Sequence, residues 1–223
     1  MPGRRALAIV ALLVASGLCA AMVEIRTHET GDSYYRFLIW NLMLAWVPLV
    51  LAIVAYARAR RRIGVLVVLL LVPWLLFFPN APYLLTDFIH LEDQRPAPIW
   101  YDALMLSAFA WTGLLLGYAS LYLVQLILGR AFGRAVAWLA VFGALGLASV
   151  GVYIGRFIRV NSWDALLHPA RVIDVLREQH SAVPFRTAEA LLALTAFLAV
   201  GYLVIYGFVG VQLEHDRGRS QPE

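Results

Sequence analysis

Six apolar runs dominate this chain of 223 residues, at 6–23, 37–57, 63–78, 101–128, 135–155 and 187–210. A helix needs about 20 such residues to cross ~30 Å of hydrocarbon. Each run is apolar on all faces, which lipid requires and water penalises. Composition agrees: 62% of residues are apolar and 14% charged, whereas a soluble domain carries about 25% charge to wet its surface. The expected fold class is therefore an all-α polytopic membrane protein. It is a single domain over 1–223 with about six transmembrane helices, plus short interfacial or re-entrant helices on the outer face. The expected partner is the lipid bilayer; disordered, collagen-like, disulfide-framed and nucleic-acid-binding classes fall away.

The first run has two readings. Arg4 and Arg5, an apolar stretch and Cys19-Ala20-Ala21 resemble a cleavable signal peptide. At 18 residues the run is longer than the usual ~7–15 residue core of such a signal. Leu18 before Cys19 also fits a lipoprotein signal poorly, so an uncleaved anchor is expected.

All 18 basic residues are arginine, which leaves no lysine for Schiff-base chemistry. Their placement orients the chain. Arg58, Arg60, Arg61 and Arg62 crowd between runs two and three, Arg130 and Arg134 separate runs four and five, and Arg4, Arg5, Arg217 and Arg219 flank the ends. With both termini cytoplasmic, ten arginines lie inside and eight outside, and eleven of fourteen acids lie outside. The expected location is the bacterial cytoplasmic (inner) membrane. Gly113-x-x-x-Gly117 and Gly151-x-x-x-Gly155 permit close helix approach inside the bundle. Pro48 and Pro73 are expected to kink runs two and three. Tyr34, Tyr35, Trp40, Trp100 and Tyr101 are expected in an outer aromatic belt.

The unusual residues lie in the outward loops. The third run has 16 residues and reaches only ~24 Å, so the segment Pro79–Leu91 is expected at or below the outer interface. Its pattern is helical: Asn80 can cap, Pro82 suits a first turn, and Asn80, Tyr83, Asp87 and His90 share an arc of about 80° with Thr86 at its border. One reading is an amphipathic helix wetted on its polar face. The other is a polar site facing a cavity, because an ionisable residue at membrane depth costs ~2.5–3.5 kcal/mol and turns inward. Glu92, Asp93, Arg95 and Asp102 follow.

A second patch, Gly155–Asp164, places Arg156 and Arg159 on one helix face. They snorkel to headgroups, pair with acids of the other loop, or clamp a phosphate or carboxylate. Asn161 or Ser162 with Asp164 reads as a helix cap with an acid in the first turn. The candidate polar cluster is Asn80, Tyr83, Thr86, Asp87, His90, Asp93, Asp102, Arg156, Arg159, Asn161 and Asp164. A metal would need His90 with Asp87 or Asp93, or His168. The lone Cys19 and the absence of H-E-x-x-H leave no metal site, and no cofactor is expected.

The run Phe78–Leu91 resembles the signature of an uncharacterised family of bacterial integral membrane proteins, domain-of-unknown-function family thirteen sixty-one. Trp40-Asn41-Leu42, Trp100-Tyr101-Asp102 and Gly155-Arg156-Phe157-x-Arg159-x-Asn161-Ser162-Trp163-Asp164 are also similar to it. The resemblance covers nearly the whole chain. It implies a polytopic bacterial membrane protein and no activity.

Three functions follow from the residues. In the first, the cluster binds a small anionic or lipid-headgroup ligand or locks the bundle. In the second, Asp87 and His90 are acid and base of a membrane-embedded enzyme at the outer leaflet, with Arg156 and Arg159 holding an anion. The third is a small-solute transporter component. Its weakness is that the span centres hold only mild polar residues, Ser107, Thr112 and Ser149.

Overall fold

The computed structural model describes residues 2–59, 64–91, 96–158 and 185–219, with side chains placed for 6–59, 64–91, 96–156 and 188–210. Among these residues the regular structure is entirely helical. Six helical stretches are long and apolar enough to cross a bilayer: Ala6–Thr30, Tyr34–Ala59, Val65–His90, Ile99–Phe132, Arg134–Arg156 and Ala188–Gly210. The chain is a multi-pass membrane protein.

Helix α1 (Pro2–Thr30) runs seven residues beyond the apolar run that announces it. It stops at Gly31, whose φ of +69° turns the chain while its N–H closes on the Thr27 carbonyl at 2.9 Å. A 3₁₀ turn, Tyr34–Arg36, leads into α2 (Phe37–Ala59). Then come α3 (Val65–Phe77), α4 (Asn80–Tyr83) and a 3₁₀ segment, Leu84–His90. Helix α5 (Ile99–Phe132) has 34 residues and is ~51 Å long. Gly133, at φ +87°, alone separates it from α6 (Arg134–Tyr153). A π-helical turn, Ile154–Ile158, extends α6. Helix α7 (Phe185–Arg219) packs on α6.

Helix α5 is the axis of the bundle. On one side Met105, Leu106, Phe109 and Leu116 meet Leu38, Leu42 and Ala45 of α2 and Cys19 and Val23 of α1. On the other, Leu114, Leu121 and Val124 meet Trp74, Phe78, Val141, Leu145, Leu198 and Tyr202. The expected small-residue motifs are internal. A Cβ on Gly113 would lie 2.6 Å from the Ala81 carbonyl oxygen, one on Gly117 3.0 Å from the Ala81 Cβ, and one on Gly151 2.5 Å from Pro79 Cγ. The glycines of α5 and α6 thus form the bed on which Pro79–Leu84 lies.

That bed explains the third crossing. The run 63–78 is too short by itself, but the backbone stays right-handed helical through Phe78, Pro79 and Leu84. Two prolines, at 79 and 82, remove N–H donors, and the winding tightens into a 3₁₀ form over Leu84–His90. The crossing therefore continues to His90 rather than ending at residue 78.

Candidate functional site

At the end of the bundle that carries His90, three elements meet. The 3₁₀ segment supplies Thr86, Asp87 and His90, α2 supplies Asn41, and the turn after α6 supplies Arg156. With three residues per turn, Leu84, Asp87 and His90 stand one above another. An α-helix would have turned Asp87 and His90 60° apart. The tighter winding lets one guanidinium reach both.

All three guanidinium nitrogens of Arg156 meet protein groups. Its Nη2 forms an ion pair with Asp87 Oδ1. Nε and Nη2 donate to the Thr86 hydroxyl at 3.1 and 2.9 Å, and Nη1 faces His90 Nε2 at 3.0 Å. The guanidinium also lies over the Tyr83 ring, 4.4 Å from its centroid. Asp87 is completely buried and takes a second donor, the Asn41 amide, at 3.3 Å on Oδ2. Thr86 Oγ1 donates in turn to the Tyr83 carbonyl at 2.7 Å.

The arginine decides the histidine tautomer. Arginine only donates, so Nε2 must accept and the ring proton sits on Nδ1. Nδ1–H then donates to the Tyr34 hydroxyl at 2.9 Å. The Tyr35 hydroxyl donates to the His90 carbonyl at 2.6 Å. Both ring nitrogens of His90 are thereby engaged.

The structure thus brings Tyr83, Thr86, Asp87, His90 and Arg156 together. The Asn80 amide donates to the Phe77 carbonyl at 2.9 Å, so it closes the turn after α3 instead of capping the next helix. Asp102 belongs to a different constellation. It accepts from Arg26 Nε at 2.6 Å and Nη2 at 3.2 Å. Arg26 also pairs with Asp32 at 3.0 Å and lies 4.7 Å from the Tyr35 ring centroid. Asp93, Arg159, Asn161 and Asp164 lie outside the described residues, as do Glu92, Arg95 and His168. The expectation of two guanidiniums in the cluster is met by Arg156 alone among the described residues.

Sequence reasoning missed Arg26 and Asn41 as partners. Arg26 follows the first apolar run and looks like a loop arginine. Yet Leu12, Cys19, Val23 and Arg26, at spacings of seven, four and three, form one buried helix face. Their periodicity was the available signal. The aromatic belt also divides. Trp40 and Trp100 are exposed, but Tyr35 is buried on Arg26, and Tyr101 sends its hydroxyl to the Met22 carbonyl at 2.9 Å.

The mild polar residues of the span centres close on their own helices. Ser107, Thr112 and Ser149 donate to the carbonyls of Ala103, Ala108 and Leu145 at 2.7, 2.8 and 3.1 Å. No group of three or more His, Cys, Asp or Glu residues converges among the described residues.

The model of one protein family, a protein of unknown function (DUF1361), matches residues 40–205. The chain belongs to this family. The DUF1361 region includes Asn41, Thr86, Asp87, His90, Asp102 and Arg156, but not α1 with Arg26. Comparison with curated proteins and with solved structures gives no match.

Proposed function

We propose that this DUF1361 protein is a multi-pass protein of the bacterial cytoplasmic membrane and that its Asp87–Arg156 cluster locks one rim of the bundle. In this reading both termini are cytoplasmic and the His90 rim faces outward. The arginines support that orientation: Arg58, Arg130 and Arg134 fall at the opposite end, and Arg60, Arg61 and Arg62 follow Arg58 in sequence.

The observation that carries the lock is that all three guanidinium nitrogens of Arg156 engage protein groups. Its hydrogen-bonding nitrogens point at Asp87, Thr86 and His90, and its side chain is only 10% exposed. A guanidinium kept for a phosphate or carboxylate ligand would leave one edge of its fork open. A buried pair gains little net energy over apolar packing, but either partner alone is costly. Such a pair selects one arrangement: here, the 3₁₀ segment held between α2 and the end of α6.

The test uses Asp87→Asn, Arg156→Gln and the double variant Asp87→Leu/Arg156→Met. Folded yield and denaturant midpoint are read in detergent, together with binding of inorganic phosphate and of phosphatidylglycerol. The lock predicts destabilised singles and a double variant that recovers most of the loss. Stable singles that lose anion binding would replace the lock with a ligand site at the same residues.

A further inference from the structure

At the opposite end, α3, α5 and α6 enclose a groove of 310 Å³. Leu71, Trp74, Leu121, Ala140 and Gly143 line it, and it opens where Gly143 and Leu147 are exposed on the flank of α6. Along α6 it extends from Ala137 to Leu147, ~15 Å. That is the depth of one leaflet's hydrocarbon. Small residues on α6 create it: a Cβ on Gly143 would meet nothing within 4 Å.

One polar side chain lines this apolar groove. Gln125 is 6% exposed, and its Oε1 accepts from the Tyr202 hydroxyl at 2.5 Å. Among the described residues, its Nε2 forms no hydrogen bond. A buried amide without an acceptor costs about 1–3 kcal/mol, so its presence points to an acceptor beyond the described residues.

A basic residue stands beyond the Ala137 end of the groove. Arg134 stands one turn before Ala137 on the groove face of α6, is exposed, and forms no ion pair among the described residues. It begins α6, whose N-cap, Gly133, offers no side-chain cap. The first N–H groups of the helix and its positive dipole end therefore lie beside the guanidinium.

We infer that this groove binds an anionic glycerophospholipid of the leaflet at the Arg134 end. One acyl chain fills the groove, an ester carbonyl accepts from Gln125 Nε2, and the phosphate meets Arg134 and the first turn of α6. The acceptor depth fits. Gln125 is nine residues before Arg134 in sequence, about two turns (~12 Å) along α5 from the Gly133 turn, where ester groups lie beneath headgroup phosphates.

The test uses the full chain in detergent micelles, with phosphatidylglycerol and phosphatidylcholine brominated in their acyl chains. Bromine quenches tryptophan on contact, and Trp74 lines the groove. Quenching by the phosphatidylglycerol should saturate at one lipid per chain. Gly143→Leu projects into the groove from a Cβ that meets nothing within 4 Å and should abolish the saturable component at unchanged melting temperature. Ala140→Leu, on the same wall, provides a second block should that variant fold poorly. Gln125→Leu and Arg134→Gln should each weaken binding ~5-fold, and Arg134→Gln should also erase the preference over phosphatidylcholine. Saturable quenching that survives both filling variants, or equal quenching by the two lipids in the unaltered chain, overturns the inference.

Discussion

Arg26 and Asp102, 76 residues apart, meet at 2.6 Å with both side chains 1% exposed. The pair joins the end of α1 to the start of α5. Tyr35, stacked on the same guanidinium, sends its hydroxyl to the His90 carbonyl. The two charged constellations of this rim are therefore coupled through one tyrosine.

Removing one partner leaves a buried charge. Arg26→Ala or Asp102→Asn should each cost ~3–5 kcal/mol. Unfolding of the purified chain in a denaturing detergent series measures the loss. Arg26→Met combined with Asp102→Leu should recover most of it. Three variants of equal stability would show that the pair does not hold α1.

Arg156→Lys keeps the charge but surrenders the fork that reaches Asp87, Thr86 and His90 together. Its unfolding midpoint should fall between those of the unaltered chain and Arg156→Gln. A midpoint equal to the unaltered chain would mean that charge alone holds the 3₁₀ segment.

Gly113 presses against the Ala81 carbonyl, which cannot yield as a flexible side chain would. Gly113→Ala should destabilise by ~1–3 kcal/mol. Gly143→Ala adds its methyl to open space and should be neutral or gain up to ~1 kcal/mol. Thermal melts of the two variants side by side give the comparison.

The proposed orientation is tested by single cysteines in a Cys19→Ala background. His28 is exposed near the end of α1, and Arg134 is exposed at the opposite rim. A membrane-impermeant maleimide should label His28→Cys in intact cells and Arg134→Cys only after permeabilisation. The reverse pattern would invert the topology.

The six crossings were legible because lipid demands long apolar runs, and nothing else in a chain of this size resembles them. The segment 80–90 was legible as a polar stripe, since Tyr83, Asp87 and His90 recur near helical spacing. Its winding was not: 3₁₀ geometry arises from Pro79, Pro82 and the glycine bed of α5, and the last of these is a tertiary contact. Asp102 was visible as an acid at a span start. Its partner was hidden because Arg26 lies past the apolar run, where a helix end and a loop look alike. The Thr86 and Asn41 contacts are long-range choices that no local pattern encodes.

Helix α5 carries Asp102 near one end and Arg130 near the other, where Arg130 reaches the Tyr56 hydroxyl at 2.8 Å. Twenty-eight residues of helix separate them, ~42 Å. That matches the ~40–45 Å of a bilayer counted with its headgroups. The central rod is therefore a gauge of the membrane it inhabits: in a thinner sheet it must lean, and its two anchored ends would drag α1 and α2 along with it.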